Sequence, residues 1–159
     1  MMSGPEVTRV LVKVQEAPFD VAAEYAAFRE GLCCGAVVSF TGVVRAHGGG
    51  EKIAAMTLEH YPGMTERALN DIAQEACRRW PLNKVLVIHR YGRLEPDEDI
   101  VLVITASDHR RDAFEAAQFL MDWLKTKAPF WKLEETDKGA RWVEAKSSDD
   151  AAAARWEKE

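Results

Sequence analysis

Lys125 and Lys132 flank the stretch Thr126-Lys127-Ala128-Pro129-Phe130-Trp131. Pro129 cannot continue a helix, so the chain must leave one there. Phe130 and Trp131 then place large apolar groups beside a charge. A lysine pressed against aromatic rings loses hydration, which makes its neutral form more accessible and suits it to general-base or nucleophilic work. A second reading stands beside this one: Phe130 and Trp131 are core, and Lys132 reaches past them to solvent. Other basic residues also gather where elements end. Arg45 and His47 close a strand and open a glycine loop, and His109, Arg110 and Arg111 begin a helix. Free N–H groups at a helix start, with arginine and histidine beside them, suit an anion. Each alone reads equally well as a solvated surface charge, and Lys125 and Lys127 also complement a helix dipole.

These residues stand out against an acidic background. The 159 residues carry a formal charge of -5, with 47% hydrophobic and 30% charged residues. A general attraction to nucleic acid or anionic membranes is excluded, so anion binding must be local. No apolar run is long enough to span a bilayer, and Met1 to Val14 lacks the sections of a signal peptide, which points to the cytoplasm. Cys33, Cys34 and Cys77 form an odd set without metal-ligand spacing and read as plain thiols. No nucleophile elbow, H-E-x-x-H or dinucleotide fingerprint is present, and no metal or cofactor is implied. Gly48-Gly49-Gly50 lacks the ending of a phosphate loop and reads as a mobile hairpin connection. Glu59-His60 and His89-Arg90 end two strands, and their roles stay open.

The elements that position these residues follow from periodicity. Strands are expected over Val7 to Val14, Ala36 to Arg45, Ile53 to His60, Lys84 to Arg90, Asp99 to Ala106, Phe130 to Glu135 and Ala140 to Ala145. Val101-Leu102-Val103-Ile104 lacks alternation and suggests burial on both faces. Asp20 can cap a helix burying Val21, Tyr25, Phe28 and Leu32. A second helix runs to Trp80 and stops at Pro81. Ser107 and Asp108 can cap a third, with Phe114, Ala117, Met121 and Leu124 as its buried stripe. Short turns between strands favour antiparallel pairing and an α+β class. A single domain over residues 1–146 is expected, with a polar tail over 147–159 that is a short or frayed helix.

The ordered segments resemble the catalytic, large subunit of molybdopterin synthase. The resemblance is carried by Phe40-Thr41-Gly42-Val43-Val44-Arg45, Leu58-Glu59-His60-Tyr61-Pro62-Gly63-Met64, Val87-Ile88-His89-Arg90 and Ser107-Asp108-His109-Arg110 with Ala113-Phe114. Leu124-Lys125, Ala128-Pro129-Phe130-Trp131-Lys132 and Arg141-Trp142-Val143-Glu144-Ala145 complete it, from roughly Val7 to Trp156. The resemblance implies an α/β-hammerhead-type fold with an additional antiparallel β subdomain. It implies a sulfurtransferase of molybdenum cofactor biosynthesis. Its members form a homodimer, extended to a heterotetramer by two small ubiquitin-like sulfur carriers. The carrier's C-terminal Gly-Gly thiocarboxylate would supply sulfur to cyclic pyranopterin monophosphate, forming the molybdopterin dithiolene.

Carried over residue by residue, the resemblance makes Lys125 and Lys132 catalytic. It assigns substrate binding to Val43, Val44, Arg45, His109, Arg110, Leu133 and Glu134. It also implies a substrate contact across the dimer for Lys146, which stands where the family often has arginine and so keeps the charge but loses the bidentate fork. Two other readings are a non-catalytic module that docks a ubiquitin-like partner, for which the basic residues would be dispensable, and an unrelated enzyme on a phosphorylated metabolite, active without a protein partner.

Overall fold

Strand β1 (Arg9–Gln15) and helix α1 (Val21–Arg29) lead into β2 (Ala36–Val43), a two-residue β3 (His47–Gly48) and the long β4 (Glu51–His60). Helix α2 (Met64–Arg79) is followed by β5 (Leu82–Arg90), β6 (Gly92–Leu94) and β7 (Asp99–Ser107). Helix α3 (Arg110–Lys127), the hairpin of β8 (Phe130–Thr136) and β9 (Gly139–Val143), and helix α4 (Ser147–Ala154) complete the chain. This computed structural model describes residues 9–48, 50–143 and 147–157. Among them, no helix is long and apolar enough to cross a membrane.

Two sheets divide the strands. The first has the order β1-β5-β7-β2 and the second β3-β4-β8-β9, with β6 also paired to β4. Pairing is antiparallel except between β1 and β5. Successive side chains of a strand point to opposite faces, and β5 and β7 use both. Val85, Val87, Val101 and Val103 pack under α2 and α3. Leu86, Ile88, Leu102, Ile104 and Ala106 pack with Phe28 of α1. The first sheet therefore lies between α1 on one side and α2 with α3 on the other. That explains the missing alternation in Val101 to Ile104.

Local chemistry fixes the element ends. The Asp20 carboxylate accepts the Ala23 N–H at 3.0 Å, as its place before α1 predicts. The expected cap at α3 is not made. The residue before the helix is His109, and the Ser107 hydroxyl instead donates to the Pro81 carbonyl at 2.8 Å, tying the end of β7 to the start of β5. The buried face of α3 is also rotated from the expected stripe. Ala113, Ala116, Ala117, Leu120, Met121 and Leu124 are buried, while Phe114 is 62% exposed. The tail forms α4, docked on α3 through the buried Asp122 carboxylate. Gln118 Nε2, Arg155 Nη2 and Trp156 Nε1 all donate to it, at 2.8, 2.9 and 2.6 Å.

Candidate active site

A cavity of about 520 Å³ opens beside the end of α3, within the usual size of a small-molecule pocket. Three segments bring basic residues to it. The first is the end of β2. The Val44 amide donates to the Glu98 carbonyl at 2.9 Å, and the Val44 carbonyl accepts from Asp97 at 3.0 Å. These bonds pin the chain as it leaves the sheet and set Arg45 at the cavity with Val43. Val44 itself is buried with Met56, Leu58 and Leu94 and builds the cavity's apolar wall.

The second segment is the last turn of α3. Leu124 and Met121 face inward, and Lys125 lines the cavity from an exposed position. Pro129 then breaks the helix and β8 begins. Here the two-residue period of a strand decides which side chains enter. Phe130, Lys132 and Glu134 line the cavity, while Trp131 and Leu133 belong to the opposite face. Trp131 is 42% exposed and meets Tyr61 edge-on at 4.6 Å, so it does not flank the lysines as the sequence suggested. The turn is held by Thr65, whose hydroxyl donates to the Pro129 carbonyl at 3.4 Å.

Glu134 is the buried carboxylate of the group. Arg141 of β9 lies 3.6 Å from it and 3.4 Å from Glu51, so a cation of the neighbouring strand answers its charge. The third segment is the end of β5, where His89 and Arg90 separate in role. Arg90 is structural. Its buried guanidinium donates to the Glu16 carbonyl at 2.9 and 3.1 Å, to Glu98 at 3.2 Å and to the Asp99 carbonyl at 3.3 Å. His89 lines the cavity and lies against the Phe130 ring, with centroids 3.9 Å apart.

His89 Nδ1 is 2.8 Å from the Arg90 carbonyl. A carbonyl only accepts, so Nδ1 carries the proton and Nε2 keeps its lone pair. Burial, reinforced by the positive charge of Lys125, His60 and Lys132, pushes its pKa from the ordinary 6.5 down to about 4 despite the bond to Arg90. The unfolded imidazole takes a proton near pH 6.5 and the folded one near 4, so between these values the unfolded chain binds more protons. Stability contributed by this site is complete above pH 6.5 and falls as pH drops towards 4, by about 3 kcal/mol at most. Denaturant unfolding across pH 4–7 is expected to show that slope, and His89→Phe is expected to flatten it. An unchanged slope in the variant would contradict the neutral, buried imidazole.

Of the binding residues named from sequence, the cavity of one chain gathers Val43, Val44, Arg45, Lys125, Lys132 and Glu134. Leu133 is turned away by strand alternation. His109 and Arg110 are exposed at the opposite end of α3, roughly 22 Å along the helix axis from Lys125 at 1.5 Å per residue. One chain therefore does not place them with Arg45 around one anion. Lys146 lies outside the described residues. Lys127 serves the tail, pairing with Glu157 at 3.0 Å over the Trp123 ring, and Arg111 pairs with Glu115 on the surface of α3. Sequence reasoning left His89 open and gave no site role to Phe40 or Asp149, which also line the cavity. His89 had one signal, its parity with Val85 and Val87.

The family model described as MoaE protein matches residues 14–127. The chain is 56% identical over 149 residues to the molybdopterin synthase catalytic subunit of Escherichia coli K12, covering 94% of this chain and 98% of that one. Among solved structures, it is similar to the molybdopterin biosynthesis MoaE protein from Burkholderia ambifaria MC40-6, with a TM-score of 0.79 and 52% identity over 94% of this chain and 99% of the other. It is also similar to the molybdopterin synthase structure from Staphylococcus aureus, with a TM-score of 0.76 and 32% identity over 83% and 96%.

Proposed function

The chain belongs to the MoaE family, the catalytic subunits of molybdopterin synthase, and on that premise we propose that its basic cavity is the sulfur-transfer site. The substrate is cyclic pyranopterin monophosphate, and the sulfur arrives as the C-terminal thiocarboxylate of a small ubiquitin-like carrier. The chain forms cytoplasmic homodimers that carry two such subunits, one on each chain. The observation that supports this reading most is the convergence of Arg45, Lys125 and Lys132 on one cavity with an apolar wall, in a protein of net negative charge. A flat heterocycle suits the wall, and its phosphate suits the arginine fork.

In each transfer the thiocarboxylate sulfur attacks an oxygen-bearing carbon of the substrate. The C–S bond forms as that carbon's C–O bond breaks, the displaced oxygen leaving on its phosphate or, once protonated, as water. Water then adds to the carrier's acyl carbon, and the acyl C–S bond breaks to leave a carboxylate on the carrier and sulfur on the pterin. The acyl oxygen carries negative charge on the way. An ammonium fixed beside it stabilises that charge, and Lys125 takes this role. Lys132 supports it from β8, and Glu134 keeps that strand in place through Arg141. His109 and Arg110 act in the cavity of a second copy of the chain, since their own is out of reach. Lys146 is assigned to the same cross-dimer contact.

Calorimetric titration of the substrate into the chain tests the anion site. Arg45→Ala is expected to weaken binding roughly tenfold to a hundredfold, the loss of one charge-assisted interaction, and to lessen the salt dependence. Equal affinity in the variant would remove Arg45 from the site.

A further inference from the structure

Among the groups around the cavity, His89 differs from the rest in what it offers. Arg45, Lys125 and Lys132 bring only donors. The Glu134 carboxylate is engaged by Arg141. His89 brings a neutral ring whose one donor is already used on the Arg90 carbonyl. What remains is the Nε2 lone pair, a hydrogen-bond acceptor inside a cationic pocket. The fold places it beside the end of α3. Val85, Val87 and His89 form one row on the α3 face of β5, and His89 is paired in register with Val101, which also lines the cavity. The Phe130 stack fixes the ring on the other side, within the segment that joins the two lysines.

We propose that His89 is a positioning residue for the sulfur-transfer centre: its Nε2 accepts from the Lys125 ammonium and aims that charge at the carrier's acyl oxygen. No bond is made or broken at His89. A lysine on a four-carbon stem is a mobile point charge, and an acceptor that holds it in one place raises the fraction of time it meets the transition state. The titratable groups that act on the ring are Lys125 of α3, Lys132 of β8 and His60 of β4. Glu134 of β8 and Asp149 of α4 line the same cavity. Burial, with the two lysines against it, keeps the ring uncharged at neutral pH, and the lone pair stays available.

The inference rests on the sulfur-transfer reading above. Its test is steady-state kinetics of the full synthase, assembled from this chain, thiocarboxylated carrier and cyclic pyranopterin monophosphate. His89→Phe keeps a ring against Phe130 and removes the acceptor. It is expected to lower kcat roughly tenfold with little change in KM, because only an interaction in the transition state is lost. His89→Gln restores an acceptor without the ring and is expected to recover most of kcat. Normal kcat in His89→Phe, or equal losses in both variants, would overturn the proposal. Should the variants fail to fold, nitrogen NMR of the wild-type imidazole decides. Nε2 is expected to be unprotonated from pH 5 to 8 and to shift on Lys125→Met, and an Nε2 signal blind to that change would overturn it. An inactive wild-type assembly would refute the sulfur-transfer reading instead.

Discussion

Lys125→Ala is expected to lower the rate of dithiolene formation by on the order of 10²-fold or more, the usual consequence of removing a charge aimed at a developing oxyanion. The side chain is exposed in the last turn of α3, while the residues that anchor that turn, Leu124 and Met121, are buried. The fold and its melting temperature should therefore hold, apart from the small loss of a cation at the helix C-terminus, typically 0.3–1 kcal/mol. Carrier affinity should also hold, since the lysine acts on the acyl group in the transition state. Single-turnover mixing of the loaded carrier with substrate separates these effects. A variant that binds both partners and reacts at the wild-type rate would remove Lys125 from the chemistry. Lys125→Arg keeps the charge but changes its shape and reach, so it is expected to recover only part of the rate.

The largest effect on stability is expected from Gly35→Ala. Gly35 precedes β2, and its N–H donates to the Ser107 carbonyl at 3.1 Å. A methyl group there would sit 2.0 Å from the Asp108 carbonyl oxygen. The obstacle is backbone, not a side chain that can rotate away, so the start of β2 must move from the chain that enters α3. Overpacking typically costs about 1–3 kcal/mol, and a backbone collision falls at the upper end, near 3 kcal/mol. For a chain of this size that lowers the melting temperature by about 10 °C. Gly50 supplies the control. It has a φ of +79° and open space around its Cβ position, and asparagine tolerates that conformation. Gly50→Asn should leave the melting temperature nearly unchanged. Equal stability of Gly35→Ala and wild type in calorimetry would contradict the close approach.

Residues whose environment is set by neighbours in the sequence were readable before the fold was known. Asp20 caps α1, Pro129 ends the helix between the two lysines, and Val101 to Ile104 is buried on both faces. All three follow from local chemistry or from composition over a few residues. Residues whose environment is set by register were not readable. Phe114 is the largest apolar side chain in its turn, yet packing of α3 on the first sheet buries the neighbouring Ala113 and turns Phe114 outward. The parallel pairing of β1 with β5 joins segments far apart in the chain, and no turn announces it. The three residues of β6 are too few for a period to show.

The candidate site divides the same way. Lys125, Lys132 and Arg45 drew notice as basic residues at element ends, and one cavity gathers them. His109 and Arg110 drew the same notice, but helix length carries them to the far end of α3. Leu133 fell beside Lys132 in sequence, and strand alternation puts it on the other face. His89 and Arg90 could not be told apart by sequence. Whichever of them faced α3 depended on how β5 sits in the sheet, and the other became a buried clamp on Glu16, Glu98 and Asp99.

The most direct test of the sulfur-transfer site is reconstitution from purified parts. The chain is mixed with a thiocarboxylated small carrier and cyclic pyranopterin monophosphate, and the product is followed by mass spectrometry. Dithiolene product that requires both proteins is the predicted result. A carrier that binds without product would contradict the account and leave a docking module, and the absence of both binding and product would remove the sulfur-transfer assignment altogether.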